Sequence, residues 1–325
     1  VNEMTAYILN CSPLESQSIT DAIHPTCGGN PLLVGESLRW LHQRGGIFHD
    51  INGRWDSQRD ALNELQLPAN FLQLFTDKLS QLATPSQQLL AAAALLGERF
   101  KTSDLAALQG LSPSELMTQL AEVFTQRILI KDKSDLYFAH DQIQTAAAKL
   151  LSSDAAIAVH QHIAQLFVQQ LRQMEASEQD NEQVKLLYLI AEHLKKSRDQ
   201  HASKQDKFTE ASINFRAGEA ALKSLAHNTA DYYFSEAVQV CPADHWAEHY
   251  AFMLNLYKCY ARSALLVGEQ GRSNEIIEIA LQHAVSDLDR ADCLLEQIVA
   301  TISLGDIEES IVLGQRCFAQ YRPGR

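Results

Sequence analysis

The chain has 325 residues, 46% of them hydrophobic, and its 27 Lys and Arg stand against 40 Asp and Glu for a formal net charge of −13. That length suits about two or three domains, and that composition excludes wholesale disorder. The acidic balance repels a phosphate backbone, so nucleic acid is not the expected partner.

No apolar run reaches the ~20 residues that span a bilayer, and no basic stretch with an apolar core marks a signal peptide. The start, Val1-Asn2-Glu3-Met4, lacks an initiator Met, and both ends read as cuts in a longer protein. Cys11, Cys27, Cys241, Cys259, Cys293 and Cys317 form no CxxC pair. Their scatter suits reduced thiols in a cytoplasmic protein rather than a disulfide framework or a zinc site. With only 14 Gly and 8 Pro, long helices are favoured over a turn-rich β fold.

Residues 14–44 read as two short helices. The first ends near residues 18–24, interrupted by Pro25 and the Gly28-Gly29 pair. The second follows Pro31, with Leu33, Val34, Leu38 and Leu41 at helical spacing and Gly45-Gly46 closing it. Residues 47–55 read as a small β-hairpin around Asn52-Gly53. An amphipathic helix follows from Phe71, then an apolar one from Pro85 fit for full burial. Thr102 or Ser103 is a plausible N-cap for the next helix. Ser112-Pro113-Ser114-Glu115 is a capping box for the one after. Residues 128–141 then read as strand, tight turn, strand. Three helices followed by a hairpin is the winged-helix order.

From Ala146 onward only helices are expected, in an antiparallel array. Residues 174–184 form an acidic, exposed link. Stretches beginning at Asn228, Gly271 and Gly305 align, each with a small residue at the same step: Ala237, Ala280 and Gly314. The step from Gly271 to Gly305 matches the ~34-residue tetratricopeptide (TPR) period. A small residue past a turn lets two helices approach closely, which is the logic of that repeat.

Two motifs narrow the reading. The first is Gly29-Asn30-Pro31-Leu32-Leu33, followed by Glu36, Leu38, Leu41 and Gly45. It resembles the Gly-Asn-Pro-Phe-Phe lid segment of bacterial STAND-type signalling ATPases. The second is Phe138-Ala139-His140-Asp141, followed by Gln144, Ala146 and Ala147. It resembles the Phe-x-His-Asp-x-x-Gln-x-Ala-Ala segment that ends their winged helix. Gly53-Arg54-Trp55, Leu67-Pro68 and Leu95-Leu96-Gly97-x-x-Phe100 lie between them in family order.

The resemblance is nearest to the ATPase module of large bacterial hybrids, which joins a serine/threonine kinase domain to GAF and histidine-kinase domains. It covers roughly residues 14–325 and is loosest in the repeats. It implies a mostly α fold in four parts: the end of a nucleotide-binding helical lid with a small hairpin (1–66), a winged-helix domain (67–150), a helical connector (151–207) and TPR-like helical repeats (208–325). It implies ATP or ADP as ligand in the parent protein, with Mg held by residues upstream. Gly29, Asn30 and Pro31 would belong to the lid over the nucleotide. His140 would reach the ADP β-phosphate, and Asp141 would cap the helix or fix the ring. The residue types suit these roles. A Gly-x-Pro turn offers a rigid apolar ring to an adenine face, and a His at a helix start can meet an anion.

No GxxxxGK[ST] motif occurs, and Gly268-Glu269-Gln270-Gly271-Arg272-Ser273 has the wrong spacing. The chain by itself is therefore not expected to hydrolyse ATP, whereas its parent is expected to be an ATPase fused to a kinase. The expected function is regulatory, coupling nucleotide state through lid and winged helix to a protein partner on the repeats. Two alternatives stand beside it. One is a DNA-binding regulator, for which residues 112–127 would be the reader helix, although Arg127 is its only basic residue. The other is a plain protein-binding scaffold. Other candidates carry bland expectations. His160 and His162 point about 200° apart on a helix and are expected at the surface. Tyr232-Tyr233-Phe234 is expected to pack between helices. Lys195-Lys196-Ser197-Arg198 is expected to be a solvated helix end.

Overall fold

The computed structural model describes residues 1–50, 54–57, 71–174, 180–198, 203–241 and 245–320. The Asn52-Gly53 turn, Leu67-Pro68 and positions 175–179 of the acidic link lie outside the described residues. The chain is mostly helical and divides into two compact units, Val1–Ala156 and Ile157–Arg325.

The first unit opens with a helix the sequence reading did not include, α1 (Asn2–Leu9). Its Asn2 carboxamide accepts from Ser16 Oγ at 2.8 Å and Thr20 Oγ1 at 2.9 Å, which ties α1 to α2 (Gln17–Cys27). Pro25 does not interrupt α2. It sits in the last turn, and the helix runs on to Cys27 before Gly28 ends it in a left-handed conformation (φ 52°). Helix α3 (Pro31–Gln43) buries Leu33, Val34, Leu38 and Leu41 and packs on α1 and α2. Gly45 (φ 75°) closes α3, and the Gly46 amide reaches back to the Leu41 carbonyl at 2.8 Å. Strands β1 (Ile47–His49) and β2 (Trp55–Ser57) then pair antiparallel, as expected, with His49 opposite Trp55.

Helix α4 (Phe71–Ser80) leads to α5 (Thr84–Leu96), whose residues 89–94 are all buried. Strand β3 (Arg99–Lys101) runs directly into α6 (Thr102–Gln109). Thr102 and Ser103 are therefore not N-caps. Pairing of β3 holds Lys101 extended, the helix begins one residue on, and the Thr102 hydroxyl goes to the Ser134 carbonyl at 2.8 Å. Helix α7 (Pro113–Gln119) starts at the expected capping box of Ser112 and Glu115. It breaks at Leu120, and α8 (Ala121–Thr125) follows. The Ser86 hydroxyl donates to the Gln119 carbonyl at 3.2 Å, while Leu120 is fully buried. Strands β4 (Leu129–Asp132) and β5 (Asp135–Phe138) form the expected hairpin, with Lys133 at φ 56° in its turn. The hairpin belongs to a three-stranded sheet of order β3-β5-β4, one strand more than expected. Arg99 joins β3 to the hairpin through Asp132 at 2.9 Å and Asp135 at 2.8 Å. Helix α9 (Asp141–Ala148) then packs on α4 and α5.

The second unit is a TPR-like array of antiparallel helices. Its members are α10 (Ser153–Met174), from Ile157 onward, and α11 (Asp180–Lys196). The pair α12 (Lys204–Lys223) and α13 (His227–Val240) follows. After the short α14 (His245–Glu248) come the pairs α15 (Tyr250–Leu266) with α16 (Gln270–His283), and α17 (Asp287–Ser303) with α18 (Ile307–Gln320). The three pairs turn alike. Leu225, Gly268 and Gly305 have φ of 59°, 87° and 82°, and the next amide bonds back to Ala221, Ala264 and Thr301 respectively. These turns correct the repeat alignment. Gly271 lies inside α16, so Gly305 corresponds to Gly268, where a positive φ makes glycine favourable. By the same register Ala237 and Ala280 correspond to Cys317 rather than Gly314. The turns are also spaced more widely than the ~34-residue TPR period.

Close approach is tightest in the first pair, where a Cβ on Gly218 would come within 2.6 Å of the Phe234 ring. Counted from the turn, the same two places in the next pair hold Ala261 with Ile277. In the last pair they hold Ile298 and Gly314, and a Cβ on Gly314 would meet nothing within 4 Å.

Candidate functional site

The two motifs open two helices of the first unit. In the first, Gly28 and Gly29 (φ 52° and 88°) end α2, and the Asn30 carbonyl accepts from the amides of Leu33 and Val34, both at 3.1 Å. Asn30 thus starts α3, and Pro31 is its first residue, where a missing N–H is harmless. Gly29, Asn30 and Pro31 are all exposed, whereas Leu33, Val34, Leu38 and Leu41 are core. The Glu36 carboxylate sits nearby in α3 against Arg39 and against Lys78, the latter at 3.1 Å.

The second motif divides the same way. Phe138 is buried against Phe100, with ring centroids 6.2 Å apart. Gln144 donates to the Ala94 carbonyl at 2.9 Å, and Ala146 and Ala147 are fully buried. These residues hold α9 onto its neighbours. His140 and Asp141 do neither. His140 is extended (φ −160°) just before α9, with its side chain 30% exposed, and Asp141 is largely exposed.

The imidazole Nδ1 lies 2.5 Å from Asp141 Oδ1. The Gln142 amide lies 3.1 Å from Nδ1 and 2.7 Å from the same carboxylate oxygen. Ring and carboxylate thus share the Gln142 amide, with His140 as the N-cap residue of α9 and Asp141 as its first residue. The close Asp141 carboxylate fixes the ring. Among the described residues no group of three or more His, Cys, Asp or Glu is placed to hold a metal ion.

Several expectations change here. The proposed reader helix is two helices of 7 and 5 residues, and Arg127 lies beyond the second with φ 53°. His160 is not at the surface. It is buried, with its Nδ1 2.8 Å from Nδ1 of His193 on α11, while His162 is exposed. The 160–162 spacing gave no sign of this, because the partner comes from another helix. The basic run is not simply solvated. Lys195 meets Glu236 at 2.9 Å, and Arg198 meets Glu210 at 2.6 Å and Glu236 at 2.9 Å, joining α11, α12 and α13. Burial raises the Glu236 carboxyl, but these two cations outweigh it and hold it below its ordinary range. Phe234 is core and Tyr233 stacks on Tyr188 at 5.1 Å, as packing residues do, whereas Tyr232 is exposed beneath the Lys195 ammonium. These tyrosines and lysines line a cleft of about 790 Å³.

No family model matches the chain. Across a 357-residue alignment covering 88% of it, the chain is 22% identical to hybrid signal transduction histidine kinase G of Dictyostelium discoideum. It spans about 10% of that protein's length. Among solved structures, a signal transduction ATPase with numerous domains (STAND) that carries a tetratricopeptide repeat sensor, from Pyrococcus horikoshii, aligns over 98% of this chain and 52% of its own. It is 10% identical with a TM-score of 0.31, an overlap too loose to argue from. No helix among the described residues is long and apolar enough to cross a membrane.

Proposed function

We propose that this chain is a regulatory segment of a STAND-type signalling protein. On this reading residues 1–66 end the nucleotide-binding lid, 67–150 form a winged helix, 151–207 connect, and 208–325 present a TPR-like surface to a protein partner. The segment relays the state of a bound adenine nucleotide to a fused kinase effector. The likeness to a stretch of a signal-transduction histidine kinase supports the signalling context.

One observation carries the nucleotide part. In the segment from Phe138 to Ala147, packing accounts for every motif residue except His140 and Asp141. Those two instead place a partly exposed imidazole, held by a carboxylate, at a helix start. That donor suits the terminal phosphate of ADP, and the exposed Pro31 ring suits an adenine face. When bound, the nucleotide would supply the anion; this chain would supply the lid turn and the imidazole. Backbone amides and a lysine for the remaining phosphates, and the Mg ligands, would come from upstream residues.

The test is calorimetric titration of ADP into the full-length protein, wild type and His140→Ala. Loss of one hydrogen bond to a charged group predicts weakening of about 1.5–3 kcal/mol, or roughly ten- to a hundredfold in Kd, and a rise in basal effector output. Unchanged ADP affinity alongside a shifted melting temperature would make His140 a structural residue and leave the scaffold reading in its place.

A further inference from the structure

Two stretches that stand out in the sequence, Lys195-Lys196-Ser197-Arg198 and Tyr232-Tyr233-Phe234, come together in the second unit. Lys195 and Lys196 of α11 and Tyr232 and Tyr233 of α13 line one cleft of about 790 Å³, together with Lys185, Tyr188, Leu189 and Glu192 of α11. The proposed nucleotide role makes no use of it. The α11 residues recur at helical spacing, so one face of that helix forms a wall of the cleft. The cleft lies within the array, with α10 preceding α11 in the chain and α15 packed on α13.

The charge of the cleft runs against that of the chain. The whole chain stands at −13, yet here Lys185, Lys195 and Lys196 face Glu192 alone. Lys195 is committed to Glu236 and to the Tyr232 hydroxyl, each at 2.9 Å. The other two cations are available. Lys185 is exposed and pairs with no carboxylate among the described residues. Lys196 meets Glu192 at 2.6 Å one turn back on the same helix, with both side chains at least half exposed, and such a pair yields readily to a better partner. Lys185 and Lys196 stand at the two ends of the α11 wall, about 16 Å apart along the helix axis. Between them the lining is apolar: Leu189 and Tyr232 are exposed, and Tyr188 stacks on Tyr233.

This arrangement selects the occupant. Cations at both ends of an apolar wall match a ligand with carboxylates similarly far apart and apolar groups between them. An extended peptide covers about 16 Å in about five residues, whereas a small aromatic acid reaches one end only. Single-stranded nucleic acid would need open ring faces on which to stack its bases. Here Tyr233 has Tyr188 stacked on it and Tyr232 nearly perpendicular to it, both at 5.1 Å, and Tyr232 lies beneath the Lys195 ammonium. We infer that the cleft between α11 and α13 takes an acidic peptide segment of a partner protein, with its apolar side chains against Leu189 and Tyr232 and its carboxylates towards Lys185 and Lys196. The inference rests on the protein-partner reading above and extends that surface to α11, in the part read as a connector.

A random dodecapeptide display library panned on the full chain is the probe. Enriched peptides should carry Asp or Glu on both sides of an apolar centre. The most enriched one, made synthetically with a fluorescein label, is then titrated by anisotropy. Lys185→Glu with Lys196→Glu should weaken it at least about tenfold, and added salt should weaken its binding to the wild type. Leu189→Ser should also weaken it, at low and high salt alike, because it removes apolar contact rather than charge. All three positions are exposed, and circular dichroism checks that each variant folds. Enrichment of basic or purely apolar peptides overturns the inference. So does an acidic peptide that binds both folded variants undiminished, which leaves the protein-partner reading in place and moves its surface elsewhere. No enrichment at all overturns both, and binding of a labelled oligothymidylate in that case, lost in the double lysine variant, would make the cleft a nucleic-acid site.

Discussion

Lowering the pH should destabilise the second unit through one buried pair, His160 and His193. Their Nδ1 atoms are 2.8 Å apart, Phe167 lies edge-on to His193, and Glu192 and Lys196 are the charged groups that act on them. One ring donates its Nδ1 proton and the other accepts. A first added proton enters at Nε2 of the donor ring and leaves this bond intact, but it places a cation in a buried site. Burial, helped by the neighbouring His160, lowers the His193 pKa from 6.5 to about 4, and burial lowers that of His160 as well. The unfolded chain therefore binds more protons between those two values than the folded one. Stability from His193 is complete above about pH 6.5 and is lost as pH falls towards 4. The shift corresponds to about 3 kcal/mol. Urea unfolding of wild type and His193→Gln at pH 7 and pH 4 isolates it, since glutamine keeps a hydrogen-bonding group without a titration. The wild type should lose about 3 kcal/mol more than the variant across that span. A His193 imidazole that titrates near 6.5 by NMR in the folded protein, or equal losses in both proteins, would refute the burial argument.

Gly218→Ala should destabilise by about 1–3 kcal/mol, because its Cβ would strike a buried phenyl ring, despite the roughly 1 kcal/mol that alanine gains in helix propensity. Adding Phe234→Ile should recover most of this, since Ala261 and Ile277 already share those two places; thermal melts of the single and double variants decide it. Cys293 is fully buried, and its thiol is pushed up to about 11 by desolvation, so Ellman's reagent at pH 8 should label it only on unfolding. Labelling of Cys293 in the native protein at the rate of partly exposed Cys317 would contradict the packing around α17.

Local signals in the sequence translated well into local structure. The Ser112–Glu115 capping box, the Gly28-Gly29 helix end and the tight turn at Lys133 depend on neighbours in the chain, and all stand as read. Features made by distant partners were not legible. β3 is three residues long and exists because β5 pairs with it. The α7–α8 break coincides with the Ser86 hydroxyl on the Gln119 carbonyl. His160 is buried because α11 brings His193 to it. At the candidate site the motifs named the residues, but only the geometry separated Phe138, Gln144, Ala146 and Ala147, which pack, from His140 and Asp141, which stand at the surface.

The repeats show how far one shape can be kept while its chemistry changes. All three turns share a left-handed residue and the same back-bonded amide, so the chain reverses in the same way in each pair. What differs is the contact between layers. Between α11, α12 and α13 the joint is Arg198 and Lys195 on two carboxylates, Glu210 and Glu236, that are themselves buried. Further along, Arg262 meets Glu296 and Arg316 meets Glu278 with both partners partly exposed. Water and salt weaken exposed pairs far more than shielded ones. In a stack where each layer touches only its neighbours, the joints then set where the array yields first. The shielded carboxylates make the α11–α13 joint the less salt-sensitive one. At the α15–α17 joint Lys258 on Asp292 is the shielded cation, so salt should act there mainly on the exposed Arg262–Glu296 pair.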